Sequence, residues 1–118
     1  MSVVLLTPGA QPAGLAFPAL ALVDDEVRSA EVTASAALQS LAADVLVVDA
    51  RTDLVGARAV CVTLSATAAA PPVLLVLSPG GLPVVTTAWG ASDILVDGAS
   101  PAEIQARLRL LREHSAPV

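Results

Sequence analysis

Aromatic residues make up only 2% of this chain, which has one Trp, one Phe and no Tyr. It therefore has no platform on which single-stranded nucleic acid could stack. Cationic residues are scarce as well. Six Lys and Arg stand against eleven Asp and Glu, for a net charge of −5. That balance argues against this segment gripping a phosphate backbone by itself. The one histidine, His114, lies near the C-terminus, where a solvated side chain is expected. The one cysteine, Cys61, has no partner for an internal disulfide, which fits a reducing, cytoplasmic setting. With no Cys/His cluster there is no set of ligands for zinc. Ser-His and Cys-His catalysis have almost nothing to work with, so no enzyme activity and no cofactor are expected. No apolar run approaches the roughly 20 residues of a membrane helix. The N-terminus has no basic region, so Ser2 to Leu6 reads as a strand and not a signal peptide.

What the chain does have is short apolar runs, within 118 residues that are 55% hydrophobic. That length suits one domain, residues 1–118, with one core. The organising stretch is Ala43-Ala-Asp-Val-Leu-Val-Val-Asp49. Val45 to Val48 is apolar at every position, whereas a strand half open to water would alternate. Continuous apolarity of this length indicates a central parallel strand covered on both faces. Asp49 then stands at the carboxyl edge of the sheet, where open α/β folds place their chemistry.

In chain order, Val3 to Leu6 is the first buried strand. Two Pro and two Gly between Thr7 and Gly14 predict a long loop or a poorly formed first helix. Pro18 predicts that any helix from Leu15 to Leu22 is short or broken. Val27 to Val32 alternates as an edge strand would. Thr33 is a candidate N-cap for a helix over Ala34 to Leu41, with Ala36, Ala37, Leu38 and Leu41 on one stripe. After the central strand, Thr52 or Asp53 can cap a helix through Leu64, its buried side formed by Leu54, Ala57, Cys61 and Leu64. Cys61 reads as a small core residue there. Val73 to Leu77 is another fully apolar strand. Leu82 to Trp89 is the expected fourth helix, short because Pro83 and two Thr are poor helix formers. Asp93 to Val96 is the last strand. Ser100-Pro101-Ala-Glu103 has the form of a capping box, followed by an apolar stripe of Ile104, Leu108 and Leu111. The alternation βαβαβαβαβα predicts a flavodoxin-like (CheY-like) doubly wound α/β fold with five parallel strands ordered 2-1-3-4-5.

The closing run from Gly90-Ala-Ser-Asp93 through Asp97-Gly98-Ala-Ser100-Pro101-Ala-Glu103 to Ala106-Arg107-Leu-Arg109 resembles the last strand and helix of response-regulator receiver domains. Asp49 falls in their phospho-acceptor place and Pro72-Val-Leu-Leu-Val in their fourth strand. The Ala-Arg-x-Arg ending is similar to the OmpR type, whose members carry a DNA-binding winged helix after this domain. The runs Asp49-Ala-Arg-Thr-Asp-Leu54, Ser78 to Leu82 and Trp89-Gly90 resemble the actinobacterial nitrogen-response regulators of the GlnR type. The resemblance implies an orphan regulator of nitrogen-metabolism genes that contacts DNA only through a further C-terminal domain and no membrane.

The departures from the receiver pattern matter as much. The two acids that hold Mg²⁺ after strand one are replaced by Thr7 and Pro8. The Lys that balances phosphoryl charge is replaced by Asp97, and the following Pro by Gly98. The aromatic of strand five is Ile94. The hydroxyl after strand four aligns with Leu77, or with Ser78 after a one-residue shift. Phosphoryl transfer to a carboxylate needs that metal and that cation. Asp49 is therefore expected either as a solvated remnant or as a permanent structural anion held by Arg51 and Thr7. The remaining receiver task is self-association.

The resemblance places an isologous homodimer on the fourth helix, strand five and the closing helix, with Asp93, Glu103 and Arg107 at interface positions; the apolar Leu82, Val85 and Trp89 of the fourth helix need cover and are expected to join them. The alternative for Asp93 and Arg107 is an ion pair within one chain. Two other functions stay open. One is a phospho-accepting receiver, and the other is a small-molecule-sensing module on the same sheet edge.

Overall fold

A computed structural model describes residues 2–115, with the backbone alone for 114 and 115, so the side chain of His114 lies outside the described residues. Strands β1 (Ser2–Leu6), β2 (Glu26–Ala30), β3 (Val45–Asp49), β4 (Val73–Leu77) and β5 (Asp93–Val96) form one sheet ordered β2-β1-β3-β4-β5. Every strand pair is parallel. This is the flavodoxin-like, CheY-like order expected from the alternation of elements. All five residues of β3 and of β4 are buried, as continuous apolarity required. Each fully buried Val or Leu contributes about 1.5–3 kcal/mol.

Side-chain alternation divides the core in two. Val4, Leu6, Leu46, Val48, Leu75 and Leu77 face α3 (Ala34–Leu38) and α4 (Leu54–Ser65). Val3, Leu5, Val45, Val47, Leu74 and Val76 face α1 (Ala13–Ala16), α2 (Pro18–Ala21) and α5 (Pro101–Ser115). Asp49 pairs in register with Val76, so it belongs to the second face.

The first helix is short and broken, as Pro18 foretold. Phe17 sits between its halves with φ −150 and ψ 80, outside helical geometry. Thr33 and Asp53 cap their helices by accepting from the N–H groups of Ala36 and Gly56. Ser100 likewise accepts from the Glu103 N–H at the start of α5. Cys61 is fully buried among core residues.

Three expectations need correction. α3 ends at Leu38 and not at Leu41, and Leu38 is 46% exposed instead of sharing the buried stripe. The second strand runs from Glu26 to Ala30, earlier than the alternating stretch Val27 to Val32. No α-helix forms over Leu82 to Trp89. Two 3-10 segments, Pro79–Val84 and Thr87–Trp89, take its place. Pro83 removes an N–H donor, and the paired Thr86 and Thr87 disfavour helix. Thr86 instead caps the second segment by accepting from the Ala88 N–H.

Candidate functional site

β1 and β3 end side by side at the carboxyl edge of the sheet. Their register brings Thr7, just beyond Leu6, next to Asp49, just beyond Val48. Both residues are buried, with Thr7 2% and Asp49 4% exposed. The Thr7 hydroxyl donates to Asp49 Oδ2 at 2.8 Å. Arg51 Nε donates to Oδ1 at 2.9 Å and its Nη2 to Oδ2 at 3.0 Å. The Arg51 backbone N–H adds a bond to Oδ1 at 3.1 Å. Each carboxylate oxygen therefore accepts two bonds, and the guanidinium meets the carboxylate fork to fork.

The local chain explains this contact. β3 stops at Asp49, the chain bends through Ala50 to Thr52, and α4 starts under its Asp53 cap. Two residues of bend bring the long Arg51 side chain back over the carboxylate. Arg51 also reaches across the edge. Its Nη2 donates to the carbonyl of Ala16, and its guanidinium carbon lies 5.1 Å from the centroid of the Phe17 ring.

Electrostatics follow from these contacts. Burial pushes the Asp49 carboxyl upward, but the Arg51 guanidinium, the Arg51 N–H and the Thr7 hydroxyl outweigh it, leaving it below the usual carboxylate value. Arg51 is raised, chiefly by its bond to Asp49, with a further contribution from the charge of Asp97. Asp97 is held from the other side, where the Ser78 hydroxyl donates to its Oδ2 at 3.2 Å. Among the described residues every buried side-chain nitrogen and oxygen has a hydrogen-bond partner.

The residues present do not fit the Mg²⁺ site of a receiver. Thr7 and Pro8 stand where carboxylates are needed. The acidic cluster Asp24-Asp25-Glu26 cannot substitute. Glu26 pairs in register with Ser2, at the opposite edge of the sheet from Asp49. Among the described residues no three His, Cys, Asp or Glu side chains gather as a metal site. The chain also contains no lysine at any position, so no ammonium group stands opposite Asp49. Among the described residues the cation bonded to Asp49 is the guanidinium of Arg51.

The structure thus brings Asp49, Arg51 and Thr7 together, and places Ser78 against Asp97 on the same edge. It distributes the proposed interface residues differently from the expectation. Trp89 is 3% exposed and turned into the core, with Leu82 and Val85 packed on the same cluster. Trp89 is thus covered within one chain, while Leu82 and Val85 stay half-buried. The exposed apolar residues of this region are Val84 and Ile94. Asp93, Glu103 and Arg107 lie at the surface. Arg107 donates to Asp93 at 3.1 Å and to Glu103 at 3.3 Å within the chain. Three hollows of about 390, 300 and 430 Å³ occur elsewhere, beside Val55 and Arg58 and beside Ser65 and Ser92. Asp49, Thr7 and Asp97 line none of these three.

Sequence reasoning missed Ala16 and Phe17 as neighbours of the acid. Pro18 signalled a break there, and a break leaves carbonyls without helical donors. Nothing in the sequence told which donor would reach them.

Similarity to solved structures agrees with the fold. A Chloroflexus aurantiacus protein described as a response regulator superposes with a TM-score of 0.75 at 19% identity, covering 95% of this chain and 97% of that one. The CheY-like protein TadZ of Pseudomonas aeruginosa gives 0.70 at 25% identity, over 99% and 97%. NtrX of Brucella abortus gives 0.68 at 17% identity over 97% of this chain, which spans 28% of NtrX. No curated protein matches the chain. A family model does. The N-terminal domain of the transcription regulator GlnR matches residues 1–112, nearly the whole length. The chain accordingly belongs to that family, a receiver-like domain of a transcription regulator, and in it Asp49 is bound by Arg51.

Proposed function

We propose that this domain works without phosphorylation, as the homodimerisation domain of a cytoplasmic regulator of nitrogen-metabolism genes, with DNA bound only through a separate winged-helix domain of the OmpR type. It needs no cofactor and catalyses no reaction of its own. The observation that carries the reading is the set of four hydrogen bonds to Asp49. A carboxylate attacks phosphorus through a free lone pair, while a divalent ion and a second cation neutralise the phosphoryl oxygens. Here both oxygens are occupied, and the surrounding residues do not suit the ion. The GlnR family match supports the assignment to nitrogen regulation.

The dimer face in this reading is the edge of β5 with the adjoining face of α5. It carries exposed Ile94 beside Asp93, Glu103 and Arg107, with Val84 from the preceding 3-10 segment. The side chains of Arg107 and Asp93 are each 37% exposed, so their pairing within the chain is worth at most about 1 kcal/mol. Exchanging it for the same pair across a two-fold axis costs little. Leu82, Val85 and Trp89 then support the face from beneath.

The test is incubation with acetyl phosphate and Mg²⁺, read by intact mass and by sedimentation velocity. The expected result is no phosphoryl adduct and a dimer insensitive to treatment. An adduct mapped to Asp49, or a monomer at every concentration, would overturn the proposal.

A further inference from the structure

We infer that Arg51 is a positioning residue that ties the Asp49 carboxylate to the break in the first helix, so that a change at Asp49 is felt in α1 and α2. Neither helix can hold its own shape, since each has four residues and isolated helices of that length do not persist in water. The chain breaks between them because Pro18 has no N–H to donate and Phe17 leaves helical geometry. That leaves the carbonyl of Ala16 in need of a donor, and Arg51 Nη2 supplies it at 2.5 Å. The same guanidinium covers the ring of Phe17, which is 2% exposed and packs in the core with Leu20 and Val47.

One planar group therefore makes three contacts at once. Nε and Nη2 satisfy the two carboxylate oxygens, Nη2 also donates to Ala16, and the face of the group meets Phe17. The donors of a guanidinium lie in a fixed fork, so rotating it away from Asp49 also lifts it from Ala16. A lysine ammonium, a single point of charge, cannot meet both carboxylate oxygens and Ala16 in this arrangement. The coupling acts outward to a surface where Leu15 and Leu22 are 75% and 71% exposed. It does not depend on whether Asp49 ever takes a phosphoryl group.

Hydrogen exchange of the whole chain, read by mass spectrometry on peptides spanning residues 13–22 and 57–64, tests this. The proteins compared are wild type, Asp49→Asn, Arg51→Lys and Phe17→Leu. Removing the Ala16 bond costs about one hydrogen bond, so exchange over 13–22 is expected to rise roughly five- to tenfold in Asp49→Asn and Arg51→Lys. Residues 57–64, in α4 on the opposite face of the sheet, exchange by global unfolding, so at the short times over which 13–22 opens locally they should stay protected in all four proteins. Phe17→Leu keeps the apolar volume and removes the ring, and should give a smaller rise confined to 13–22. Unchanged exchange over 13–22 in both Asp49→Asn and Arg51→Lys would overturn the inference. Equal exchange of both peptides at those short times would also overturn it, since that reports opening of the whole domain and not a tie. Either failure leaves the acetyl phosphate result standing, so the two proposals are separable.

Discussion

Replacing Asp49 by Asn keeps the shape of the side chain and removes only its charge and half of its acceptors. The consequences follow from the four bonds at the site. If the amide nitrogen takes the place of Oδ2, it points donors at Arg51 Nη2, which is itself a donor. The Thr7 hydroxyl can rotate to accept, so that contact survives. If the amide nitrogen takes the place of Oδ1, it faces two donors, Arg51 Nε and the Arg51 backbone N–H. Either way the guanidinium loses its counter-charge and one arm of its fork. Breaking a buried ion pair costs about 3–5 kcal/mol. Since 22% of the Arg51 side chain remains exposed, water recovers part of that loss, and about 2–4 kcal/mol is expected.

For a domain of this size that lowers the melting temperature by roughly 8–16 °C. Urea unfolding followed by far-UV circular dichroism measures the free energy, and calorimetry measures the shift. The double-mutant cycle of Asp49→Ala, Arg51→Ala and the pair separates the interaction from the cost of each truncation, with an expected coupling of about 1.5–3 kcal/mol. If Asp49→Asn loses less than about 0.5 kcal/mol, or the two alanine changes simply add, the acid is not anchored and the reasoning fails.

Four further outcomes follow from the same contacts. Folding lowers the Asp49 carboxyl, so the unfolded chain binds the extra proton; the stabilisation is complete above the unfolded value of about 3.9 and is lost as pH falls through the folded one. The gap between the urea midpoints of wild type and Asp49→Asn should therefore begin to close below about pH 4 and go on shrinking as pH falls, and a gap independent of pH there would contradict this. Burial pushes the Cys61 thiol up to about 11, so at pH 8 a thiol reagent should label it only as fast as the protein opens; rapid stoichiometric labelling of the native protein would be the contrary result. Gly90 has φ +76, and a Cβ there would lie 2.3 Å from Ser65 Cβ, so Gly90→Ala should cost about 2–4 kcal/mol in urea unfolding, whereas a neutral effect would mean that α4 can move aside freely. Arg107→Ala should change monomer stability by less than about 1 kcal/mol, because its partners are exposed; its effect on sedimentation then reports on the interface alone.

Much of the fold was legible because apolar runs are a local property. Val45 to Val48 and Val73 to Leu77 each announce a strand covered on both faces, as a parallel sheet under two helical layers provides. Caps were legible for the same reason, since Thr33, Asp53 and Ser100 act on N–H groups three residues away. Errors came where burial outbid local preference. The segment Leu82 to Trp89 reads as a short helix by its place in the βα alternation. Its composition opposes helix, and sinking Trp89 into the core does not need one. Leu38 was assigned inward, but α3 buries Ala37, and the next residue round the helix faces out.

The site divides along the same line. The sequence alone determined that the metal-holding acids and the balancing lysine are absent, that Asp49 ends a central strand, and that Arg51 is close enough to reach it. These are matters of residue identity and spacing. Tertiary structure decided what that arginine does with its remaining donor. Ala16 and Phe17 lie 35 and 34 positions before Arg51 in the chain, and they meet it only because the pleat of β3 turns Asp49 toward the face that α1 and α2 cover. A contact across that much sequence depends on which face of the sheet each element packs against, and no local pattern encodes that choice.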